Sequence, residues 1–379
     1  MGREKSKVAV ALSGGVDSSL TALLLKEQGY QVVGLSLRLG QGPDLAWQSG
    51  ARMASELGIA HQVVDAAAQF DGQVMQWAIR DFAMGRTPNP CARCNARVKI
   101  PLLRRAAQKA GCGLLATGHY ARLESKNGGL ALREGADQGK SQAYFLARLR
   151  PEQLEGLLFP LGGMTKDQVR EAAAKAGLST AERPDSQDAC FLPPGGWDEI
   201  MAGAGAVKPG SLVDEKGRVL GQHNGLHRFT IGQRRGLGVA LGTPQYVQAL
   251  DGRSAQVVVG PVESLKVAGL RATGAIWHED LTTLTNLRVR LRYTHPGVGC
   301  RVIAPGGLQD PGAEKMAGTS RGGRDGSSGH GLWGGDEVIV EFEKPQKAVA
   351  PGQLAVFYDE DRVVGSAWIA QSIKESDGR

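Results

Sequence analysis

The sequence predicts an α/β protein in which a parallel sheet with helices on both faces is followed by a small central domain and a C-terminal β-barrel. Between residues 7 and 120, short apolar runs alternate with helical stretches, the pattern of a parallel sheet covered on both faces. After residue 207 the runs become short, β-rich and punctuated by glycine. The length of 379 residues fits two or three domains of roughly 150 residues each.

The N-terminal elements follow in order from their apolar patterns. Strands are predicted for the runs KVAVAL, QVVGLSL, HQVVDA and GLLATGH, at residues 7–12, 31–37, 61–66 and 113–119. Helices are predicted for the stretches Ser18–Gln28, Asp44–Leu57 and Asp167–Gly177. Because folds of this type bind ligands at the carboxyl ends of their strands, we expect the functional site at that edge.

Changes in composition divide the chain into three domains. We predict a catalytic domain over 1–206, a central domain over 207–270 and a barrel-like domain over 271–379. In the central domain, the runs GSLVDEKGRVLGQHNG and HRFTIGQRRGLG are both predicted to be β-rich. Residues 305–335 contain 11 glycines and interrupt two runs, CRVIA and DEVIVEFEKP, that would form a hairpin. We therefore expect a flexible inserted loop there.

Composition excludes several classes of protein. Hydrophobic residues make up 41% and charged residues 22%, which argues against a disordered or fibrous chain. No apolar run approaches the roughly 20 residues of a membrane helix, and no secretory signal is recognisable. We therefore expect a cytoplasmic protein whose five cysteines are reduced thiols. The net charge of +7 supports binding of a polyanion only if other features also indicate such a partner.

The segment SGGVDSS, residues 13–19, follows the first predicted strand and opens a helix. Small residues let backbone N–H groups approach phosphate oxygens, Asp17 can help to hold a metal ion, and the helix N-terminus adds partial positive charge. The alternative is an ordinary glycine-rich turn capped by Asp and Ser. The whole string in this strand–helix setting favours phosphate binding, although it matches neither the dinucleotide fingerprint nor the Walker-type loop.

Two cysteines stand three residues apart in TPNPCARCN, residues 87–95. They fit a metal clamp, a redox pair, or a nucleophile with an incidental neighbour. Cys94 and Cys190 both lie in polar stretches bounded by proline and glycine, which suits a reactive thiol. Cys112 and Cys300 flank apolar strands, so we predict core or edge positions for them.

Several segments carry a resemblance to known enzymes. SGGVDSS resembles the pyrophosphatase loop of PP-loop enzymes such as GMP synthetase, which split ATP into AMP and pyrophosphate to adenylate an oxygen. Six further segments lie in order along nearly the whole chain: GRTPNPCARCN, ATGHYARL, KSQAYFLARL, DSQDACFLP, FTIGQRRGLGVA and PQKAVAPGQLAVFY. Together they resemble the tRNA-specific 2-thiouridylase family, which replaces oxygen by sulfur at C2 of the wobble uridine of certain tRNAs.

This resemblance implies roles for matching positions. ATP, with Mg²⁺, is expected at Ala11, Leu12, Ser13, Gly14, Gly15, Val16, Asp17, Ser18, Leu37 and Gly118. The target base is expected at Asn89, Pro90 and Cys91, and other tRNA contacts at Lys140, Ser141, Gln142, Arg292 and Tyr293. Cys94 matches the nucleophile and Cys190 the cysteine that carries a persulfide.

The implied chemistry begins with adenylation of the uridine C2 oxygen, which makes AMP the leaving group. A persulfide on Cys190 then delivers its terminal sulfur, and the Cys94 thiolate releases it, leaving a Cys94–Cys190 disulfide that must be reduced. The implied partners are the tRNA anticodon stem-loop and a sulfur-donor protein, such as a cysteine desulfurase or a sulfur relay; we expect a monomer that contacts no membrane. Arg234 and Arg235 either contact the RNA backbone or lie in a solvated turn.

One position departs from the family pattern. Many members carry an aspartate where this chain has Cys91. Cys91 is either incidental, or joins Cys94 and Cys190 as three ligands of a [4Fe–4S] cluster whose open iron presents hydrosulfide. A zinc site is a weaker alternative, because structural zinc takes four protein ligands. His119 is expected to line the ATP pocket rather than to act as an acid–base group.

Two other functional classes remain open from the sequence. One is a small-molecule ligase of the same ATP-using group, which would need neither reactive thiols nor a basic C-terminal half. The other is a metal-stabilised RNA-binding module without catalysis, which has no use for SGGVDSS.

Overall fold

The structure is a computed structural model that describes residues 5–40, 45–126, 129–184, 189–239, 242–303 and 337–374. The strands within these residues are β1 Lys5–Ala11, β2 Tyr30–Arg38, β3 Ala60–Asp65, β4 Leu114–Ala116, β5 Ala121–Lys126, β6 Gly129–Glu134, β7 Leu157–Leu158, β8 Gly210–Asp214, β9 Val219–His223, β10 Tyr246–Asp251, β11 Gln256–Gly260, β12 Lys266–Trp277, β13 Leu287–Arg290, β14 Val298–Ile303, β15 Glu337–Lys347, β16 Leu354–Asp359 and β17 Arg362–Ile373.

The α-helices within the same residues are α1 Val16–Glu27, α2 Leu45–Glu56, α3 Ala67–Phe70, α4 Gln76–Ala83, α5 Pro90–Cys94, α6 Ile100–Lys109, α7 Ala143–Leu146, α8 Pro151–Leu154, α9 Lys166–Lys175 and α10 Gly196–Gly203. Two π-helical turns, Asp71–Met75 and Asn95–Lys99, precede α4 and α6. Short 3₁₀ turns cover Leu226–Arg228, Val262–Leu265 and Leu281–Thr283. No helix in these described segments is long and apolar enough to span a membrane.

The N-terminal sheet is parallel, with strand order β3-β2-β1-β4-β7. Successive residues of β1 face opposite sides of the sheet. Val8 and Val10 join a buried cluster with residues of α1, α2 and α9, whereas Ala9 joins another with residues of α6. Helices therefore cover both faces, and the predicted fold is confirmed.

The helix after β1 begins at Val16 rather than at the predicted Ser18. The residue before it, Gly15, has an extended backbone at φ −87° and ψ 161°. The last residues of the predicted phosphate segment therefore form the first turn of α1, where backbone N–H groups have no intrahelical acceptor. The earlier start places these N–H groups at the carboxyl end of β1.

The central sheet has strand order β10-β11-β8-β9. Within the predicted β-rich run at 210–225, residues 210–223 form the antiparallel β8–β9 hairpin. The prediction of a second β-rich run, HRFTIGQRRGLG, is wrong: over residues 227–238 the structure has the end of a 3₁₀ turn and then loops. Gly232, Gly236 and Gly238 adopt φ of +87°, +73° and +69°, and left-handed residues interrupt an extended strand.

The C-terminal sheet closes into an antiparallel barrel of order β12-β15-β14-β13-β16-β17, since β17 also pairs with β12. The expected hairpin of CRVIA and DEVIVEFEKP is confirmed as β14 and β15, while the insert predicted at 305–335 lies outside the described residues. The β5–β6 hairpin extends the barrel sheet from β17, and β12 crosses the predicted boundary at 270. The two boundaries between the three domains remain predictions.

Candidate active site

The SGGVDSS segment makes a tight turn between β1 and α1. The Ser13 N–H donates to Ser18 Oγ at 3.2 Å, and the hydroxyls of Ser18 and Ser19 donate to the Gly15 carbonyl at 3.0 and 2.9 Å. Gly14 has φ +73°, and a Cβ there would lie 2.3 Å from Ser49 Cβ. No described side chain caps the start of α1, so its first-turn N–H groups are available to an anion.

Three residues that the sequence analysis did not single out hold this loop. Lys166 Nζ lies 2.8 and 2.9 Å from the two carboxylate oxygens of Asp17. The Tyr120 hydroxyl donates to Asp17 at 2.7 Å, and Arg183 Nη1 donates to the Gly14 carbonyl at 2.9 Å. A sequence signal for Lys166 exists, because a lysine in the first turn of a helix opposes the helix dipole.

Asp17 was predicted to help hold a metal ion. Within the described chain, no three His, Cys, Asp or Glu side chains are grouped so that they could hold a metal. Mg²⁺ commonly uses one or two carboxylates together with substrate phosphates and water. The loop therefore fits Mg²⁺ as an ion shared between Asp17 and a nucleotide, with Lys166 as its neighbour.

Gly118 and Leu37 come from the two strands that flank β1 and their continuations. Gly118 lies two residues after the end of β4, and a Cβ at this position would lie 3.0 Å from the backbone carbon of Asp17 and 3.1 Å from the Ser18 nitrogen. Leu37 is half-buried near the carboxyl end of β2. The structure thus brings Gly118 against the loop and places Leu37 on the adjacent strand, while their contacts with ATP remain predictions.

The cysteine segment begins with a short helix, α5. Pro90 is its first residue, and the side chain of buried Asn89 accepts a hydrogen bond from the Ala92 N–H at 3.1 Å. The chain then passes through the π-helical turn Asn95–Lys99 into α6. Within this turn, the Lys99 backbone N–H donates to the Cys94 thiol. Single π-helical turns within helices are frequent at functional sites.

The three candidate thiols differ in exposure. Cys94 is buried, Cys91 is partly buried and Cys190 is exposed. Burial raises the pKa of Cys94 to about 12, an effect that Lys99 opposes. Burial also raises the pKa of Cys91 to about 11, and the charge of Cys190 adds to the rise at both buried thiols. The thiols are therefore close enough to interact electrostatically.

The Cys190 segment packs through Phe191 against the buried cluster that contains Cys94. The ring centroid of Phe191 lies 5.1 Å from that of Phe70 and 6.0 Å from that of Trp197. Phe191 also packs against the buried cluster that contains Phe70 and Cys94. Cys190 is thereby held at the surface beside a buried thiol, and its neighbours at 185–188 lie outside the described residues.

The three thiols do not fit a metal cluster as they are arranged. They form no metal-ligating group in the part of the chain that the structure describes. Burial raises the pKa values of Cys91 and Cys94, so both thiols are protonated without a metal, and a metal would have to displace their protons.

His119 lies three residues after the end of β4. Its Nδ1 lies 2.7 Å from Thr117 Oγ1, and its Nε2 lies 3.5 Å from Lys99 Nζ. Burial lowers the pKa of His119 well below its usual value. A neutral imidazole held between these partners agrees with a structural role.

The residues expected to contact tRNA come from two regions that the structure brings together. Lys140 and Arg292 are exposed, and the Tyr293 hydroxyl donates to the Gly139 carbonyl at 3.4 Å. Ser141 is buried and accepts from the Gly135 N–H. The two arginines of the central domain, Arg234 and Arg235, are both exposed.

Gln142 links this region to the phosphate loop. Its backbone N–H donates to the Tyr120 carbonyl at 2.7 Å, and its side-chain oxygen accepts from the Tyr120 N–H at 3.1 Å. Tyr120 in turn donates to Asp17. Gln142 is therefore connected to Asp17 of the phosphate loop through Tyr120.

We expect the thiols to be alkylated in the order of their exposure. At pH 8, iodoacetamide should modify Cys94 on the order of 100-fold more slowly than Cys190, because a pKa of about 12 leaves little thiolate. The Cys94 rate should rise about tenfold for each pH unit. Peptide mass spectrometry measures both rates, and buried Cys300, with its pKa also raised to about 12, is the control. Equal rates at Cys94 and Cys190 would contradict the described burial.

The parallel sheet, the phosphate loop after β1 and the adjacent thiols define an enzyme of the PP-loop type. Family models match residues 6–194 as "tRNA methyl transferase HUP domain", 199–261 as "tRNA methyl transferase PRC-barrel domain" and 328–369 as "Aminomethyltransferase beta-barrel domain". The chain is 40% identical to a tRNA-specific 2-thiouridylase MnmA of Geobacter metallireducens over 98% of this chain and 99% of that protein. It is 41% identical to the protein of that name from Syntrophotalea carbinolica, over 97% and 100%. The chain therefore belongs to the tRNA-specific 2-thiouridylase family.

Proposed function

We propose that this enzyme, a tRNA uridine 2-sulfurtransferase by its family, thiolates C2 of the wobble uridine with ATP and carries the sulfur on Cys190 and Cys94. The observation that carries the proposal is the anchoring of Phe191 in the apolar cluster of Cys94. This contact holds an exposed cysteine beside a buried one, as a relay between two thiols requires. The phosphate loop lies at the carboxyl end of β1, at the same edge of the sheet.

The first step activates the base. The uridine C2 oxygen attacks the α-phosphorus of ATP, pyrophosphate leaves, and the oxygen becomes the bridge to AMP. The first-turn N–H groups of α1 and the Lys166 ammonium supply positive charge for the phosphates. Mg²⁺, when bound beside Asp17, would neutralise further phosphate charge.

The second step transfers sulfur. The terminal sulfur of a Cys190 persulfide attacks C2, and AMP departs with the former C2 oxygen. The Cys94 thiolate then attacks Cys190 Sγ and breaks the sulfur–sulfur bond, so that the electron pair stays with the sulfur on C2. The product is 2-thiouridine and a Cys94–Cys190 disulfide, which a thiol reductant must reduce by two electrons before the next turnover.

Lys99 favours the thiolate that this step needs. Its positive charge lowers the pKa of Cys94, and its backbone N–H contacts the same thiol. Burial opposes ionisation and dominates in this structure, so Cys94 is a protonated thiol until a substrate changes its surroundings. Free thiols at all five cysteines correspond to the reduced starting state of the cycle.

We propose that the sulfur comes from a protein that carries a persulfide, because Cys190 is exposed and can meet the donor's thiol directly. We further propose that the chain acts as a monomer. A cytoplasmic location follows from the tRNA substrate and from the need for reduced cysteines.

Cys91 is incidental in this proposal. A Cys91→Asp variant purified without oxygen should keep at least about half of the thiolation activity, since no sulfur passes through position 91. Neither variant nor wild type should contain stoichiometric iron and acid-labile sulfide or show a cluster spectrum. Iron in the wild type that is lost with thiolation in the variant would instead establish the [4Fe–4S] route.

The function itself is tested by incubating the chain with a tRNA transcript, ATP, a persulfide-donor protein and a thiol. Nucleoside mass spectrometry should find 2-thiouridine at the wobble position, with pyrophosphate released only when tRNA is present. The family model is named for methyl transfer, so the same digest should contain no added methyl group when S-adenosylmethionine is supplied. Turnover of ATP with a small amino acid and indifference to tRNA would select the small-molecule ligase.

A further inference from the structure

A second positively charged site lies away from the phosphate loop. It is a cleft of about 400 Å³ between the N-terminal domain and the barrel, which we call the arginine cleft. Its lining includes one carboxylate, Glu152, and the five arginines Arg93, Arg97, Arg105, Arg148 and Arg150. No residue of the SGGVDSS loop lines it. Nothing in the thiolation chemistry proposed above uses these arginines.

The positive charge of the arginine cleft is largely unbalanced. Arg150 lies 4.0 Å from Glu152, and both side chains are exposed, so this pair is weak. Among the described residues, none of the other four arginines forms an ion pair. Guanidinium groups so close together repel one another unless an anion lies between them.

Arg148 is half-buried and lies where the cleft meets the barrel. One of its nitrogens donates to the carbonyls of Gly274 at 2.7 Å and Ser366 at 3.1 Å, both in the barrel. Burial, followed by the charges of Arg97, Arg93 and Arg150, lowers the pKa of Arg148 to about 10. Neutral carbonyls satisfy this nitrogen but leave the charge without a counter-ion, which is unfavourable in a half-buried position.

Two tryptophans fix the positions of the deeper arginines. The rings of Trp77 and Trp368 are in contact, with centroids 5.2 Å apart and ring planes tilted by 50°. Arg93 lies over Trp77 at 4.7 Å, and Arg148 lies over Trp368 at 5.3 Å. Each guanidinium group is thus held against one ring of this tryptophan pair, which lowers the cost of ordering it for a ligand.

We propose that the arginine cleft is a binding site for a phosphate group. The planar fork of donors on each guanidinium matches phosphate oxygens in pairs, and the volume accommodates one or two phosphate groups. The phosphate comes either from a free polyphosphate, such as the pyrophosphate that the enzyme releases, or from a phosphodiester of RNA. The RNA source and the pyrophosphate that the enzyme releases both rest on the proposed function, whereas binding of added pyrophosphate does not.

The test uses the whole chain with its nucleotide site saturated by a non-hydrolysable ATP analogue, so that added pyrophosphate cannot compete there. Calorimetric titration should find one pyrophosphate bound by the wild type. An Arg97→Gln/Arg105→Gln double variant, which changes two exposed arginines and leaves Arg148 in place, should weaken this binding about tenfold or more. The control Arg218→Gln/Arg301→Gln removes the same charge outside the cleft and should bind as the wild type does.

The RNA source has its own signature. If the ligand is a phosphodiester, the binding constant of an anticodon stem-loop RNA should depend less steeply on salt in the cleft variant. The slope of the logarithm of the binding constant against the logarithm of the salt concentration should fall in magnitude by about 0.7 for each lost contact. The control variant should keep the wild-type slope. Circular dichroism should show equal folding, and affinity for the ATP analogue should be unchanged in both variants. The proposal would be overturned if the cleft variant kept both the pyrophosphate affinity and the RNA salt slope of the wild type. It would also be overturned if the cleft bound hexaglutamate but neither phosphate ligand.

Discussion

Replacement of either Cys94 or Cys190 by serine is expected to reduce 2-thiouridine formation about 1,000-fold or more, while tRNA-dependent pyrophosphate release continues. Adenylation uses the phosphate loop and no thiol, so it should survive both changes. The two variants should also differ from each other. Cys94→Ser should accumulate tRNA joined through the sulfur on C2 to Cys190, or a persulfide on Cys190 when tRNA is omitted, whereas Cys190→Ser should accept no sulfur from the donor.

Matched controls for this experiment are present in the chain. Cys112 is buried in the N-terminal domain and Cys300 in the barrel. Serine at either position should leave thiolation within about twofold of wild type, because neither buried thiol is accessible to the sulfur donor or the tRNA. Mass spectrometry of intact protein reports the persulfide, and nucleoside analysis reports the product. Full thiolation by Cys94→Ser would show that the sulfur is released without a second thiol.

The Lys166→Met variant is expected to release pyrophosphate about 100-fold more slowly than wild type, because it removes a buried positive charge beside the phosphate loop. In the free enzyme this charge is paired with Asp17 at 2.8 Å. Without it, Asp17 presents an unbalanced negative charge where the phosphates are expected.

Lys175→Met provides the comparison for this variant. Lys175 is on the same helix, α9, but its side chain is exposed and pairs with Glu171 at the surface, so its loss should change the rate by less than about twofold. Initial rates of tRNA-dependent pyrophosphate release over a range of ATP concentrations measure both effects. Similar rates in the two variants would show that Lys166 has no part in the ATP step.

The loop motif and the sheet around it were predictable because each depends on short-range patterns. The run KVAVAL is apolar on both sides, as a strand buried on both faces must be. SGGVDSS supplies the small side chains that the turn requires, and Gly14 shows why, since no Cβ fits against Ser49. The motif also located the loop correctly in the chain, although the helix begins two residues earlier than predicted.

The prediction that HRFTIGQRRGLG forms strands was wrong for a local reason. HRFTIGQRRGLG has the β-branched residues and glycine spacing of short strands. Its glycines instead adopt left-handed conformations that turn the backbone, and the run packs under the central sheet through Phe229 and Leu237. Burial of two apolar side chains therefore outweighed strand propensity.

The sequence by itself determined the fold class, the family, the phosphate loop and the pair of candidate cysteines, because these are encoded in runs of adjacent residues. Tertiary structure alone decided the partners of those residues. Lys166 reaches Asp17 across 149 positions, Phe191 joins the Cys94 cluster, and Arg148 meets Trp368 from the barrel. Such contacts depend on how helices and sheets pack, so the hydrophobic periodicity of one segment does not indicate which other segment it will contact.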